Sequence, residues 1–285
     1  MLSVGMAVRT TAEMEAKPGL SPRVKLIYLL LAANGVPAFV LLTFAASDTD
    51  RLFVWTVKPP ASAALLGVMY SNALILVLIG LLQPSWPRVR VILLLVSVFS
   101  VAATIVTFFT LDPFLKHPWM HLAYWLTLYL LLFVAAPLVF VLEERESGGR
   151  LAVERPLTPA QIGVCAIGAV GFVALGLTLL VSSSTVSDAW PWPLTPLVAR
   201  IIGVWFSALG VAYAYALWDR DWLRSRPIFW QGLPTGLLLA LVPVLHSGDV
   251  HGGVGPLVLY SAVAAFLFGG GLLAEVSARR RGAPV

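Results

Sequence analysis

The sequence predicts an all-α integral membrane protein of eight transmembrane helices, arranged as two tandem, parallel four-helix repeats with both termini cytoplasmic. Three observations carry this reading. Of the 285 residues, 59% are hydrophobic and 12% charged, with a mean hydropathy of +0.89, whereas a soluble domain carries roughly 25% charge. The apolar residues gather in long runs, and lysine and arginine sit in alternate connections between them.

Each run is justified by length. A helix rises about 1.5 Å per residue, so about 20 apolar residues cross about 30 Å of hydrocarbon. Such runs occupy residues 24–46, 61–83, 91–111, 119–142, 161–182, 195–218, 229–245 and 256–277. Proline, charge, glycine and serine separate them, as in Pro84-Ser-Trp-Pro-Arg and Glu143-Glu-Arg-Glu-Ser-Gly-Gly. A membrane barrel needs ~10-residue alternating segments, and these runs do not alternate. The composition excludes a disordered chain, and a single cysteine, Cys165, excludes a disulfide-built domain.

Orientation follows from the cations, which remain on the cytoplasmic side of short loops. With an even number of spans, 15 of the 19 lysines and arginines fall on the side of the termini; Arg51, Lys58 and Lys116 fall on the other, and Arg200 lies inside a span. A plasma (inner) membrane protein of a bacterium, N-in and C-in, is the expected setting. The net charge of +5 then matches anionic lipid rather than nucleic acid. Residues 1–23 hold Glu13, Glu15 and Lys17 without a signal-peptide core, so they read as a cytoplasmic tail.

Sliding the chain against itself reveals the repeat. At a shift of 137, Leu20-Ser-Pro22 meets Leu157-Thr-Pro159, Trp55 meets Trp192 and Pro59 meets Pro196. At 136, Gly67, Ser71, Trp86, Arg88 and Arg90 meet Gly203, Ser207, Trp222, Arg224 and Arg226; at 137 again, Asp112 meets Asp249. The expected division is a tail (1–23), a first half (24–146), a linker (147–156), a second half (157–278) and a basic tail (279–285). An even number of spans per half makes the repeat parallel.

Several residues could carry chemistry. His117, His121, His246 and His251 all fall on the outer side, with Asp112 and Asp249 beside them. Imidazole and carboxylate suit a transition metal, and His117 and His121 stand four residues apart. The stripe of His121, Tyr124, Trp125, Leu128 and Tyr129 could instead stack on a haem; a membrane belt or helix packing is the plainer use. Arg200, one turn into its span, is replaced by Ala64 in the other half. An intramembrane arginine marks a functional candidate, although one so shallow can also snorkel or pair with Asp188.

The Trp/Pro segments before the second and sixth spans, around Trp55 and Trp192, read as short extended or re-entrant plugs that anchor two helices at a fixed depth; roofing an outer cavity is the functional alternative. Pro37, Pro137, Pro234 and Pro243 interrupt spans, and the seventh, the shortest, is the expected cavity wall because freed carbonyls need protein or a cavity to satisfy them. Gly67, Gly203, Gly210 and 269–271 mark close helix approach. Asn34 and Asn72 are expected to bond between helices, Glu275 to pair with Arg279, and Cys165 to pack.

No Walker loop, His-Glu-x-x-His, Cys-x-x-Cys, Gly-x-Ser-x-Gly or Asp-rich prenyl-diphosphate motif is present, so no catalytic residue is assigned. The leading expectation is binding or transport of a small ligand that enters from outside between the halves, with Arg200, Trp55, Trp192 and Asp188 at its mouth; it would be anionic if Arg200 holds it. Alternatives are a non-catalytic helical subunit of a larger membrane complex and a haem- or metal-binding redox protein. No cofactor is predicted under the leading expectation, and the partners are the bilayer with a small ligand or other membrane subunits.

Overall fold

A computed structural model of the chain describes residues 19–148, 151–182, 189–251 and 253–282. It contains eight helices long and apolar enough to cross a membrane: α1 Pro22–Phe44, α2 Pro60–Leu81, α3 Arg90–Phe109, α4 Trp119–Ser147, α5 Pro159–Val181, α6 Pro196–Asp219, α7 Trp222–Leu245 and α8 Val254–Arg280. No strand occurs among the described residues. The chain is a multi-pass membrane protein.

Proline and small polar residues start these helices, because the first-turn N–H groups need no intrahelical acceptor. Ser21 caps α1, Thr158 and Gln161 form a capping box on α5, and Thr195 caps α6, each just ahead of a proline. Gly148 ends α4 at φ 82°, a left-handed conformation that glycine adopts without steric cost.

The helices pack as hairpins, α1 on α2, α3 on α4, α5 on α6 and α7 on α8, which are joined through α2–α7 and α3–α6. Exchanging each helix for the one four places on returns the same principal neighbours. The crossings put α2, α3, α6 and α7 at the centre: 78% of the α6 span is buried inside the protein, against 28% of α1 and of α4. The outer helices carry the exposed apolar side chains, such as Leu29 and Val36 on α1, Val134 and Leu138 on α4, Val170 on α5 and Val258 and Leu272 on α8. Where lipid is as apolar as leucine, association depends on close packing. At Gly203 a Cβ would come within 2.7 Å of the Gly176 carbonyl oxygen, and at Gly210 within 2.7 Å of the Val173 nitrogen, so glycine at these sites sets the tight α5–α6 approach.

Two expectations about α7 are corrected. It starts at Trp222 rather than 229 and spans 24 residues, so α3, with 20, is shorter. Hydropathy misses this first turn because it contains Arg224 and Arg226; the Asp221 carboxylate caps it through the Leu223 and Arg224 nitrogens at 3.0 and 3.3 Å. Nor does α7 line the cavity described below. Pro243 lacks the N–H that would bond to the Leu239 carbonyl, and the Tyr260 hydroxyl of α8 donates to that oxygen at 2.9 Å. Protein, rather than a cavity, satisfies the break.

Candidate functional site

Both ends of the bundle and its middle hold polar structure. The end where α1 begins and α8 finishes is the basic end. There Arg90, starting α3, and Arg224, in the first turn of α7, converge on Asp219 at the foot of α6. Arg90 Nη2 donates to Asp219 Oδ1, while Arg224 Nε and Nη2 donate to Oδ2 and Oδ1 at 2.8 and 2.9 Å. All three side chains are buried, and Glu144 of α4 stands 3.7 Å from Arg90 Nη1. Asp221 also accepts from the Glu154 and Arg155 nitrogens at 2.8 and 2.9 Å, docking the α4–α5 linker here. Arginine remains charged at any relevant pH, so this buried group holds only because carboxylates face it.

In the middle, Asn72 of α2 donates to Gln231 and, at 2.9 Å, to Thr235 of α7, and accepts from Trp205 Nε1 of α6 at 3.3 Å. Asn72, Gln231 and Thr235 are buried. This amide network fills the junction where the two sets of four helices meet, which is where the sequence places the ligand path.

A cavity of about 70 Å³ lies instead within the first four helices, closed from behind by α6. Leu31, Asn34 and Gly35 of α1, Tyr70 and Asn72 of α2, Phe99 and Ser100 of α3, Tyr129 of α4 and Trp205 of α6 face it, and Trp55 roofs it. Among the described residues, no charged side chain lines it. The Tyr70 and Tyr129 hydroxyls lie 3.4 Å apart, and the Tyr124 hydroxyl donates to Asn34 Oδ1 at 2.8 Å, tying α4 to α1.

Trp55 belongs to a buried extended segment between α1 and α2 and is 1% exposed. Its ring packs on Phe53, Phe114 and Trp125 with centroids 4.7, 5.1 and 5.0 Å away. Its Nε1 has no hydrogen-bond partner among the described residues. Trp55 also forms part of the wall of an open basin of about 690 Å³ on the far end of the bundle, shared with Lys58, Asp112, Lys116, His117 and the start of α6 at Leu197. It therefore separates basin from cavity.

Trp192 is buried as well, but its Nε1 donates to Ser62 of α2 at 3.1 Å. At a shift of 136 from Ser62 stands Val198, which has no hydroxyl to offer Trp55. Asp249 accepts from the Ala61 nitrogen at 2.8 Å and so caps α2 from the α7–α8 connection. Arg200 is half-buried on α6 and is not on the cavity wall; Asp188 lies outside the described residues.

His117 and His121 come together, with ring centroids 6.0 Å apart, and His117 Nε2 is 3.1 Å from the Thr56 hydroxyl. Burial, then the neighbouring His121, holds the His117 pKa below its usual value. His251 instead sets its Nδ1 2.7 Å from the Asp249 carbonyl oxygen, and His246 follows α7 as its C-cap. Among the described residues, no three His, Cys, Asp or Glu side chains are grouped to hold a metal. The aromatic stripe on α4 divides: Trp125 stacks on Tyr129 at 3.9 Å and donates to Thr107 at 3.0 Å, while Tyr124 turns to Asn34. The face that would receive a flat cofactor is occupied by Trp55 and Phe114.

Asn34, Asn72, Glu275 with Arg279 at 3.0 Å, and buried Cys165 behave as their residue types imply. Sequence reasoning missed Tyr70, Ser100, Gln231 and Asp219. Asp219 had a signal, a carboxylate closing an apolar run three helices after the one that Arg90 starts. Comparison with family models, with curated proteins and with solved structures finds no match.

Proposed function

We propose that the chain is a bacterial inner-membrane binding or transport protein that takes a small, mainly apolar ligand into the cavity beneath Trp55, approaching from the outer basin. The observation that carries this is Trp55 itself: it separates the two spaces, and its buried N–H lacks an acceptor among the described residues. An unsatisfied buried donor costs about 1–3 kcal/mol, which an acceptor atom on a ligand would recover. The uncharged cavity wall suits a neutral group. An anionic group of the same ligand would stay in the basin near Lys58, Lys116 and His117.

In this reading both termini are cytoplasmic, supported by the cations gathered at the basic end. Two tandem parallel four-helix repeats are supported by the exchange of neighbours four helices apart and by the shifts. Cavity residues Gly35, Tyr70 and Tyr129 fall 137, 136 and 137 residues before Phe172, Phe206 and Phe266, which pack against one another. The ligand site thus opens among the helices of one repeat, with Ile201 and Trp205 of the other closing it, and Arg200 has no part in its wall.

Organic extracts of the detergent-purified chain, analysed by mass spectrometry, test the proposal. We expect one small molecule per chain, retained about fivefold less by Trp55→Phe, which loses only the N–H, and displaced by Ala73→Phe, which fills the cavity. No stoichiometric molecule in the wild type, or equal retention by both folded variants, would overturn it.

A further inference from the structure

The basic end holds a second charge cluster whose balance differs from the first. Around Asp219, two arginines, Arg90 and Arg224, meet three carboxylates, Asp219, Asp221 and Glu144. On the outward side of α7 and α8, the Arg226 guanidinium lies 3.6 Å over the Trp230 ring. Trp230 Nε1 and Arg279 Nε both donate to Glu275, each at 3.0 Å. Arg88, Arg155 and Arg279 all stand within electrostatic range of Arg226, as Glu275 does.

Arg155 also lines an adjoining pocket of about 310 Å³ between the α4–α5 linker and the end of α8, with Glu154 and Arg281 on its rim. Even with that rim included, Arg155, Arg226, Arg279 and Arg281 stand against Glu154 and Glu275. Arg226 Nε and Arg155 Nη1 are buried atoms with no hydrogen-bond partner among the described residues. Guanidinium groups cannot relieve their repulsion by losing a proton. A counter-anion is the remaining way, and arginine's planar fork matches phosphate oxygens. Basic pockets between transmembrane helices on the cytoplasmic side take lipid phosphates in this manner.

We propose that Arg155, Arg226 and Arg279 form a binding site for a phosphate-bearing anion at the membrane surface, beside the pocket that Arg155 and Arg281 line. The full chain, delipidated in neutral detergent, is titrated with phosphatidylglycerol, with phosphatidylcholine and with inorganic phosphate, and followed by native mass spectrometry and unfolding midpoint.

Phosphatidylglycerol is expected to bind one per chain and raise the midpoint, where phosphatidylcholine does not. Inorganic phosphate producing the same rise would establish the site with a free anion as its source. Arg226→Gln and Arg155→Gln should each weaken binding about fivefold. Arg279→Gln, at an exposed position with little risk to folding, should weaken it too. Lys25→Gln removes one charge at the same end of the bundle and should leave binding intact. Equal affinity for phosphatidylglycerol and phosphatidylcholine with no effect of phosphate, or a loss on Lys25→Gln as large as on Arg279→Gln, would overturn the proposal.

Discussion

Between α5, α6 and α8, Phe172 stacks on Phe206 at 5.6 Å and meets Phe266 edge-on at 5.5 Å, with Tyr213 closing the cluster. Between α1, α2 and α4, under the proposed duplication, the corresponding residues are Gly35, Tyr70 and Tyr129, and there a cavity of about 70 Å³ remains. The same arrangement of helices is thus filled by three phenyl rings in one half and left open beside two hydroxyls in the other. The backbone architecture tolerates both, with glycine at position 35 where phenylalanine stands at 172. Under the proposed duplication and the proposed ligand site, the two halves differ in their wall residues more than in their helix packing.

The largest effect is expected where the halves join. Asp219→Ala leaves Arg90 and Arg224 buried with only the more distant Glu144 and Asp221, at 3.7 and 3.5 Å, and should cost about 3–5 kcal/mol, read as a fall in the unfolding midpoint in detergent. If instead it costs no more than a surface substitution, the halves are held without help from the Asp219 charge pairs. Next, Phe172→Ala would open in the second half the space that the first half has naturally. We expect a loss of about 2–3 kcal/mol, below the usual soluble-core value because the lipid-exposed reference state is apolar too. A second cavity detectable by xenon in a crystal would sharpen the comparison.

Asn72→Ala strips acceptor and donor from Trp205, Gln231 and Thr235 together and should cost about 1–2 kcal/mol. Tyr70→Phe makes the first half resemble the second and should cost about 0.5 kcal/mol while leaving the cavity unfilled. A larger loss would mean that the Tyr70–Tyr129 pair does more than mark the difference between the halves.

The smallest effect concerns the basin. The folded-state pKa of His117 lies below its ordinary 6.5, so the unfolded chain takes up the proton first. Its contribution is complete above pH 6.5 and is lost as pH falls through the depressed value. His117→Gln should flatten the stability profile in that acidic window, and an unchanged profile would remove His117 as its cause.

Reading the sequence located every span because the test is one-dimensional: about 20 apolar residues either occur in a run or do not. Its one large boundary error, at α7, came where Arg224 and Arg226 lowered the hydropathy of a turn that is helical only because Asp219 and Asp221 face it. The site was legible in part. Trp55 and Trp192 stood out as bulky residues beside prolines, yet nothing in their matching contexts told which N–H would find a hydroxyl. That depended on Ser62 and Val198, each distant in sequence from the tryptophan above it.

Composition and pattern by themselves determined the solvent the protein lives in, its eight crossings and the concentration of cations at one end, since hydrophobic transfer and chain length act locally along the chain. Tertiary structure decided which half stays open, which carboxylate neutralises two arginines and which polar groups meet at the centre. A cavity is the absence of atoms among several helices, and a buried charge pair is a meeting of residues far apart in the chain. Both are set by how helix faces turn toward one another, a property no single segment contains.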